Sequence, residues 1–375
     1  MSFYYSKHHI NKSDILHVTN SLHQSFLSQG KYKKKLEKLV KRIFNVKYCL
    51  AVSNCTSALH LSYLALGLKS NDYVITTPLT WSATVSSALN CGSRVKLIDI
   101  DSQTLNIDLN KLEVFLKKNK KKPKIIIPVH YGGSPVDLER LKEISSKYKI
   151  KIVEDAAHAM GSKFKKDLIG NCKYSDITVF SMQPAKPITS GEGGLILTNN
   201  KKIFETTSLL SKHGSVVSKK YPWTQNIKNL GFNYKLSELN CALAYSQLKR
   251  LFLINKRKEY LNSLYRKELS TIAGLSFQKI LPGCISSNHL FTVLLPNNLN
   301  YKDKKKIFQK MKKKKIFLTL KYMPIDCNTA YRKKVINKNS ENFFKRAFNF
   351  PIYFSLTKKQ LKFICNCFKS VLSEF

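Results

Sequence analysis

Apolar and polar positions follow two alternating periods along the first half of the chain. Short apolar runs at residues 48–52, 73–77, 95–99, 125–129, 150–154, 177–181 and 195–198 are bounded by polar or glycine-containing turns, as buried strands are. Between them, residues 58–66, 82–89, 109–117 and 137–147 carry apolar side chains at helical spacing. This alternation predicts an α/β fold with a mostly parallel sheet. From residue 237 to 269 the pattern turns helical, with Leu239, Leu243, Tyr245, Leu248 and Leu251 along it. A long helix there predicts a link to a smaller α+β carboxy-terminal part, with strands at 287–295 and 316–320 and helices at 302–313 and 357–372. The expected boundary falls near residue 250. It divides a large domain with an amino-terminal arm (1–250) from a small one (251–375).

Composition narrows the class. A chain of 375 residues, 43% hydrophobic, can bury a full core and build two domains. No apolar stretch is long enough to cross a bilayer, and the opening MSFYYSKHHINKSD lacks the apolar core of a signal peptide. A cytoplasmic protein without membrane association is therefore expected. The nine cysteines are odd in number and show no paired metal-ligand spacing, which predicts reduced thiols and no metal site. A net charge of +42 raises a competing class, a nucleic-acid-binding protein. Its lysine runs at 117–122, 304–306 and 312–315 lie far apart and carry no organising motif, which argues for solvated faces instead. Such a field would also attract a substrate bearing a diphosphate.

Candidate chemistry gathers where predicted strands end, the place where open α/β sheets bind ligands. The segment SNCTSALHLSYLALGL (53–68) opens a helix with Asn54, Thr56 and Ser57. These small polar residues suit either a plain N-cap or a phosphate held by free N–H groups. In KIVEDAAHAMG (151–161) a strand ends in Glu154 and Asp155, with His158 three residues on. Asp155 is either a capping acid or the partner that keeps a pyridine nitrogen protonated. His158 either bonds a cofactor oxygen or belongs to a polar network. Lys186 stands in VFSMQPAKPITSGEGGLILTN (179–199), in a loop stiffened by Pro184 and Pro187. One lysine among many means little, but a buried amine has a lowered pKa and attacks carbonyls.

Taken in order, FLSQG (26–30), SNCTSALH, TTPLTWSATVSSALNCG (76–92), PVHYGG (128–133), VEDAAHAMG, QPAKPITSGEGG (183–194), LGFNYKLSELNCALAYSQLKRL (230–251) and FPIYFSLT (350–357) resemble the DegT/DnrJ/EryC1/StrS aminotransferase family. The resemblance runs through nearly the whole chain. It implies the aspartate aminotransferase-like fold type I, with a seven-stranded sheet in the large domain, and pyridoxal 5′-phosphate as cofactor. It also implies that Lys186 carries the cofactor as a Schiff base and that Asp155 pairs with the pyridinium nitrogen. Trp81 would stack on the ring, and Thr56, Ser57 and Ser181 would bind the phosphate. His158 would lie near the phenolic oxygen. Asn233 would reach the phosphate from a neighbouring subunit, making the active unit a homodimer. Relatives that dehydrate sugars carry histidine in place of the lysine, and Lys186 argues against that reaction.

Within the family, FLSQG, the lysine loop and ALAYSQLKRL are similar to the branch that aminates C4 of UDP-4-keto-6-deoxy-N-acetylhexosamines. L-Glutamate is the donor this implies, and pseudaminic acid or another surface glycan the destination. One run departs. Where family members often carry histidines beside proline, residues 320–331 read LKYMPIDCNTAY, which leaves the hexose open.

Overall fold

The structure, a computed structural model, describes residues 2–331 and 337–375. Its strands are β1 (Tyr48–Val52), β2 (Tyr73–Thr76), β3 (Arg94–Leu97), β4 (Ile125–Ile126), β5 (Lys151–Asp155), β6 (Lys163–Phe164), β7 (Asp167–Leu168), β8 (Ile177–Ser181), β9 (Gly194–Thr198), β10 (Ser215–Val217), β11 (Gln225–Ile227), β12 (Ser276–Phe277), β13 (Phe291–Leu294) and β14 (Ala347–Phe350). The helices are α1 (Lys12–Leu22), α2 (Lys31–Phe44), α3 (Cys55–Ala65), α4 (Ser82–Asn90), α5 (Leu109–Lys118), α6 (Leu138–Lys147), α7 (Lys201–Leu210), α8 (Glu238–Leu248), α9 (Leu251–Leu269), α10 (Tyr301–Lys313), α11 (Lys338–Arg346) and α12 (Lys358–Leu372). None of the described helices is long and apolar enough to cross a membrane.

All seven apolar runs of the first half join one seven-stranded sheet in the order β1-β9-β8-β5-β4-β2-β3. β9 alone is reversed, antiparallel to β1 and β8, while the other neighbours pair in parallel. Successive side chains on a strand face opposite ways, so a strand covered on both faces must be apolar throughout. β9 shows this: Leu195 and Leu197 pack in the core shared with α2, α5, α6 and α8, and Ile196 packs in the core shared with α3. A second core, holding Phe291, Phe350 and Phe368, fills the space between the antiparallel sheet β12-β13-β14 and helices α9, α10 and α12.

Three expectations are corrected. Residues 316–320 do not form a strand; only Ile316 and Thr319 bridge, one to Phe3 and the other to Asn349. The apolar run is real, but it faces the amino-terminal arm on one side and then turns into the cavity described below, so β14 takes the third place in the small sheet. The strand expected at 287–295 is confined to Phe291–Leu294. The single helix expected from 237 to 269 is two, parted at Lys249 and Arg250. Arg250 leaves helical geometry as its guanidinium reaches Asp14 at 2.5 Å and His9 at 3.0 Å, tying the break to the start of α1.

One acid joins the helices behind the sheet. Glu238, in the first turn of α8, is fully buried and accepts the N–H groups of Gly30 (2.9 Å), Tyr32 (2.6 Å) and Lys33 (3.1 Å). These are the unpaired donors at the start of α2, whose N-cap Gly30 has no side chain to satisfy them. A carboxylate placed there also meets the positive end of the helix dipole.

Candidate active site

The carboxyl ends of β2, β4, β5 and β8 open into a cavity of about 430 Å³ that holds Lys186, Asp155, His158, Trp81, Thr56 and Ser181 in its walls. Six of the residues singled out from the sequence are thus brought together. The other two stand apart. Ser57 lies one residue deeper in α3, its N–H taken by Asn54 Oδ1 at 2.8 Å and its hydroxyl by Ser53 at 3.0 Å. Asn233 follows the β10–β11 hairpin and is not among the residues lining the cavity of its own chain.

Backbone alternation on β5 separates its two acids. Glu154 points into a buried network with His130 Nε2 (2.8 Å) and Thr178 (3.0 Å), whereas Asp155 faces the cavity. Asp155 Oδ2 accepts the hydroxyl of Thr84 at 2.6 Å, and Oδ1 accepts the Ala157 N–H at 3.2 Å. A hydroxyl has one proton, so Thr84, having donated to Asp155, accepts from Thr80 at 2.7 Å. That chain fixes the carboxylate in one orientation.

Lys186 sits on a loop held from three sides. Its own N–H reaches Gln183 O at 2.9 Å, Ser6 of the amino-terminal arm donates to Ala185 O at 3.2 Å, and Asn240 holds Ser190 O at 2.5 Å. Burial lowers the amine's pKa to about 8, against the opposing pull of the Cys55 and Asp155 side chains. An amine lowered in this way holds far more free base near neutrality than an ordinary lysine does.

His158 is neutral, and its tautomer follows from its neighbours. Burial, with the like charges of Lys186, Lys321 and Lys258, pushes its pKa well below the usual range. Nδ1 accepts the Gly132 N–H at 3.2 Å, so the ring proton is on Nε2, which lies 2.9 Å from the Tyr322 hydroxyl. Tyr322 is kept as a phenol, its pKa raised by burial, and its ring lies 5.3 Å from that of Trp81.

At the opposite wall, α3 begins against β9. A Cβ on Gly194 would fall 2.4 Å from Asn54 O, so only glycine lets the strand pass this close to the helix start. Asn54 caps Ser57, and the N–H groups of Cys55 and Thr56 have no acceptor within the helix. Both residues line the cavity with Ser181 and Gln183, which makes this helix start an anion seat of the usual kind. At the mouth, Trp81 leaves its indole 58% exposed.

A flat, phosphorylated pyridine aldehyde fits these residues. Such a group would find the α3 start for its phosphate, Asp155 for its ring nitrogen, the Lys186 amine for its aldehyde and Trp81 for its ring face. Among the described residues no cluster of three or more His, Cys, Asp or Glu is placed to hold a metal. Sequence reasoning missed Thr84, Tyr322, His289 and Lys321. Thr84 reads as an ordinary first-turn residue, Lys321 and Tyr322 lie in the run 320–331 that departs from the family pattern but neither stands out there, and His289 comes from a distant segment.

Residues 8–369 match the DegT/DnrJ/EryC1/StrS aminotransferase family. The chain is 35% identical to a UDP-4-amino-4,6-dideoxy-N-acetyl-beta-L-altrosamine transaminase of Campylobacter jejuni over 373 residues, 99% of this chain and 97% of that one. Its structure is similar to that of Helicobacter pylori PseC, an aminotransferase involved in pseudaminic acid biosynthesis, with a TM-score of 0.94, 28% identity and full coverage of both chains. The fold is shared with a putative sugar aminotransferase of Streptococcus pneumoniae in its PLP form, at 23% identity and a TM-score of 0.92, over 100% of this chain and 99% of that one.

Proposed function

The chain belongs to the DegT/DnrJ/EryC1/StrS aminotransferase family, and from that premise we propose that it aminates C4 of a UDP-4-keto-6-deoxy-N-acetylhexosamine. L-Glutamate is the donor, and pyridoxal 5′-phosphate the cofactor. The product is a UDP-4-amino-4,6-dideoxy sugar for pseudaminic acid or another surface glycan. The observation that carries the reading is a buried amine and a fixed carboxylate, Lys186 and Asp155, facing one cavity whose far wall is a helix start.

Bound there, the cofactor supplies an electron sink for the carbanion formed at the amino-bearing carbon. The protein's own groups do the rest. Asp155, oriented by Thr84 and Ala157, holds a proton at the ring nitrogen. Lys186 Nζ, partly free base near neutrality, takes the proton from the donor's α-carbon and acts as acid in the reverse sense. His158 Nε2–H and Tyr322 form a neutral pair beside the ring and add no charge that would compete with Asp155. The N–H groups of Cys55 and Thr56, with Ser181, seat the phosphate.

The test is spectroscopic. Protein mixed with pyridoxal phosphate should gain a visible band, L-glutamate alone should bleach it, and the keto-sugar nucleotide should restore it. A protein that never gains the band would end this reading.

The active unit in this proposal is a homodimer with shared sites. The β10–β11 hairpin and its flank expose Val217, Tyr221, Trp223, Ile227 and Leu230, the last by 93%. An apolar ribbon of that size in water calls for a partner, and Asn233 directly follows it. The double substitution Trp223→Asp, Leu230→Asp should halve the mass seen by light scattering and weaken cofactor retention. A wild-type protein that runs as a monomer at micromolar concentration would remove the dimer. The nine free thiols accord with a cytoplasmic setting.

A further inference from the structure

We propose that Lys321 is the anion anchor of this site and binds the α-carboxylate of the amino donor. The inference rests on the transaminase reading and assigns a residue to its donor subsite. Lys186 and Lys321 are the two lysines in the cavity wall, and no arginine lines it among the described residues. Lys186 is committed to the cofactor. Lys321 has no carboxylate within ion-pair distance among the described residues; its amine lies 4.8 Å from the centre of the Tyr5 ring and 5.9 Å from that of Tyr322.

The backbone that presents this lysine is unusually well held. The Lys321 N–H donates to Asn349 Oδ1 at 2.6 Å, and its carbonyl accepts the Tyr131 hydroxyl. Both partners are fully buried. The next residue, Tyr322, is tied to His158 at 2.9 Å. A loop clamped at three points, by side chains from β14 and from the turns that follow β4 and β5, directs one flexible stem between two aromatic rings and into the cavity. Cations are seldom kept half-buried and uncompensated, and burial lowers the Lys321 pKa as that cost requires. A second group there also lacks a partner: His289, 4% exposed in the cavity wall and 4.3 Å from the His158 ring, has a buried Nδ1 with no hydrogen bond among the described residues.

Which anion the lysine takes follows from position. Lys321 shares one cavity wall with Lys186, His158 and His289, and its neighbour Tyr322 is bonded to His158, so an anion paired with it lies in the same cavity as the reacting carbon. In an α-amino acid the carboxylate is bonded directly to that carbon. In the sugar nucleotide the diphosphate is attached across the ring from C4, and the cofactor phosphate has its own seat at α3. The donor's carboxylate is the anion the geometry selects. The lysine lies in the run LKYMPIDCNTAY, where the chain departs from the family's histidine-bearing pattern.

Maleate, an unreactive dicarboxylate, provides a probe that needs no turnover. Its dissociation constant is measured by calorimetry on the cofactor-loaded and the cofactor-free protein. Lys321→Met, which keeps the stem and removes the charge, should weaken maleate about 10–100-fold, the range of a hydrogen bond to a charged group; Lys321→Arg should lose far less. The glutamate concentration that half-saturates bleaching should rise by the same factor, with the limiting rate changed little. Lys321→Gln serves in place of the Met variant if that does not fold. Unchanged maleate and glutamate affinity in the Met variant, or a rise confined to the keto-sugar nucleotide, would overturn the assignment. A wild-type protein that binds maleate through Lys321 but is never bleached by glutamate would count against the transaminase reading and leave the anchor standing.

Discussion

Lys186→Ala should lose at least about 10⁴-fold in turnover, the upper end of what one positioned base contributes. Lys321, the other lysine of the cavity wall among the described residues, is assigned to the donor's carboxylate and not to the proton transfer. Lys258 is buried too, its pKa also lowered to about 8, but it does not line the cavity. The variant should still take up pyridoxal phosphate, because the α3 seat is untouched, yet lose it on dialysis and never show the covalent band. Activity within tenfold of wild type would refute the role. Stability should move the other way. In the cofactor-free protein the amine's pKa is about 8, below the unfolded 10.5. The penalty for burying it is absent above pH 10.5, grows as pH falls towards 8, and is complete at neutrality. Cofactor-free Lys186→Ala should therefore melt at or above the wild-type temperature at pH 7, and closer to it at pH 10.5. A clear loss at pH 7 would show that the amine holds structure together.

Asp155 separates chemistry from architecture when changed in two ways. Asp155→Asn keeps Oδ1 as acceptor for the Ala157 N–H, and its NH2 donates to the Thr84 hydroxyl, which turns to donate to Thr80, so the melting temperature should stay near wild type while the negative charge is removed. Turnover should fall about 10²–10³-fold, the usual scale for removing one preorganised electrostatic contact to a developing charge. Asp155→Ala should lose the same activity and also about 1–3 kcal/mol of stability, since it leaves two buried donors unmet. Single-turnover bleaching by glutamate reads the first effect and denaturant unfolding the second. An Asn variant with wild-type bleaching rates would reduce Asp155 to a structural cap.

Much of this was legible before the fold was known, for a physical reason. Strands covered on both faces must be apolar along their length, so the seven strands of the large sheet stand out as runs, and a ligand site at their carboxyl ends follows from topology. Lys186 and Asp155 are in such places. The apolar run 316–320 misled because period alone does not say what a run packs against; here it meets the arm at Phe3 and turns inward instead of joining a sheet. The run 320–331 stood out, but the parts of Lys321 and Tyr322 within it, like that of His289, were hidden because their contacts cross more than 100 residues of chain from His158. Glu154 and Asp155 could be told apart only once β5 had a cavity on one side and His130 on the other.

The amino-terminal arm has a consequence for the order in which the molecule is completed. Phe3 exchanges backbone hydrogen bonds with Lys315 and Phe317, Tyr5 O accepts from Ile352, and Ser6 holds the lysine loop at Ala185. Tyr5 is part of the cavity wall. A ribosome releases these first residues long before it makes their partners, so during synthesis the arm stays undocked while the large sheet can already form. Its anchors at 315–317 and 352 are made about 300 residues after it, so the pocket wall that Tyr5 completes waits for the small sheet and its neighbours.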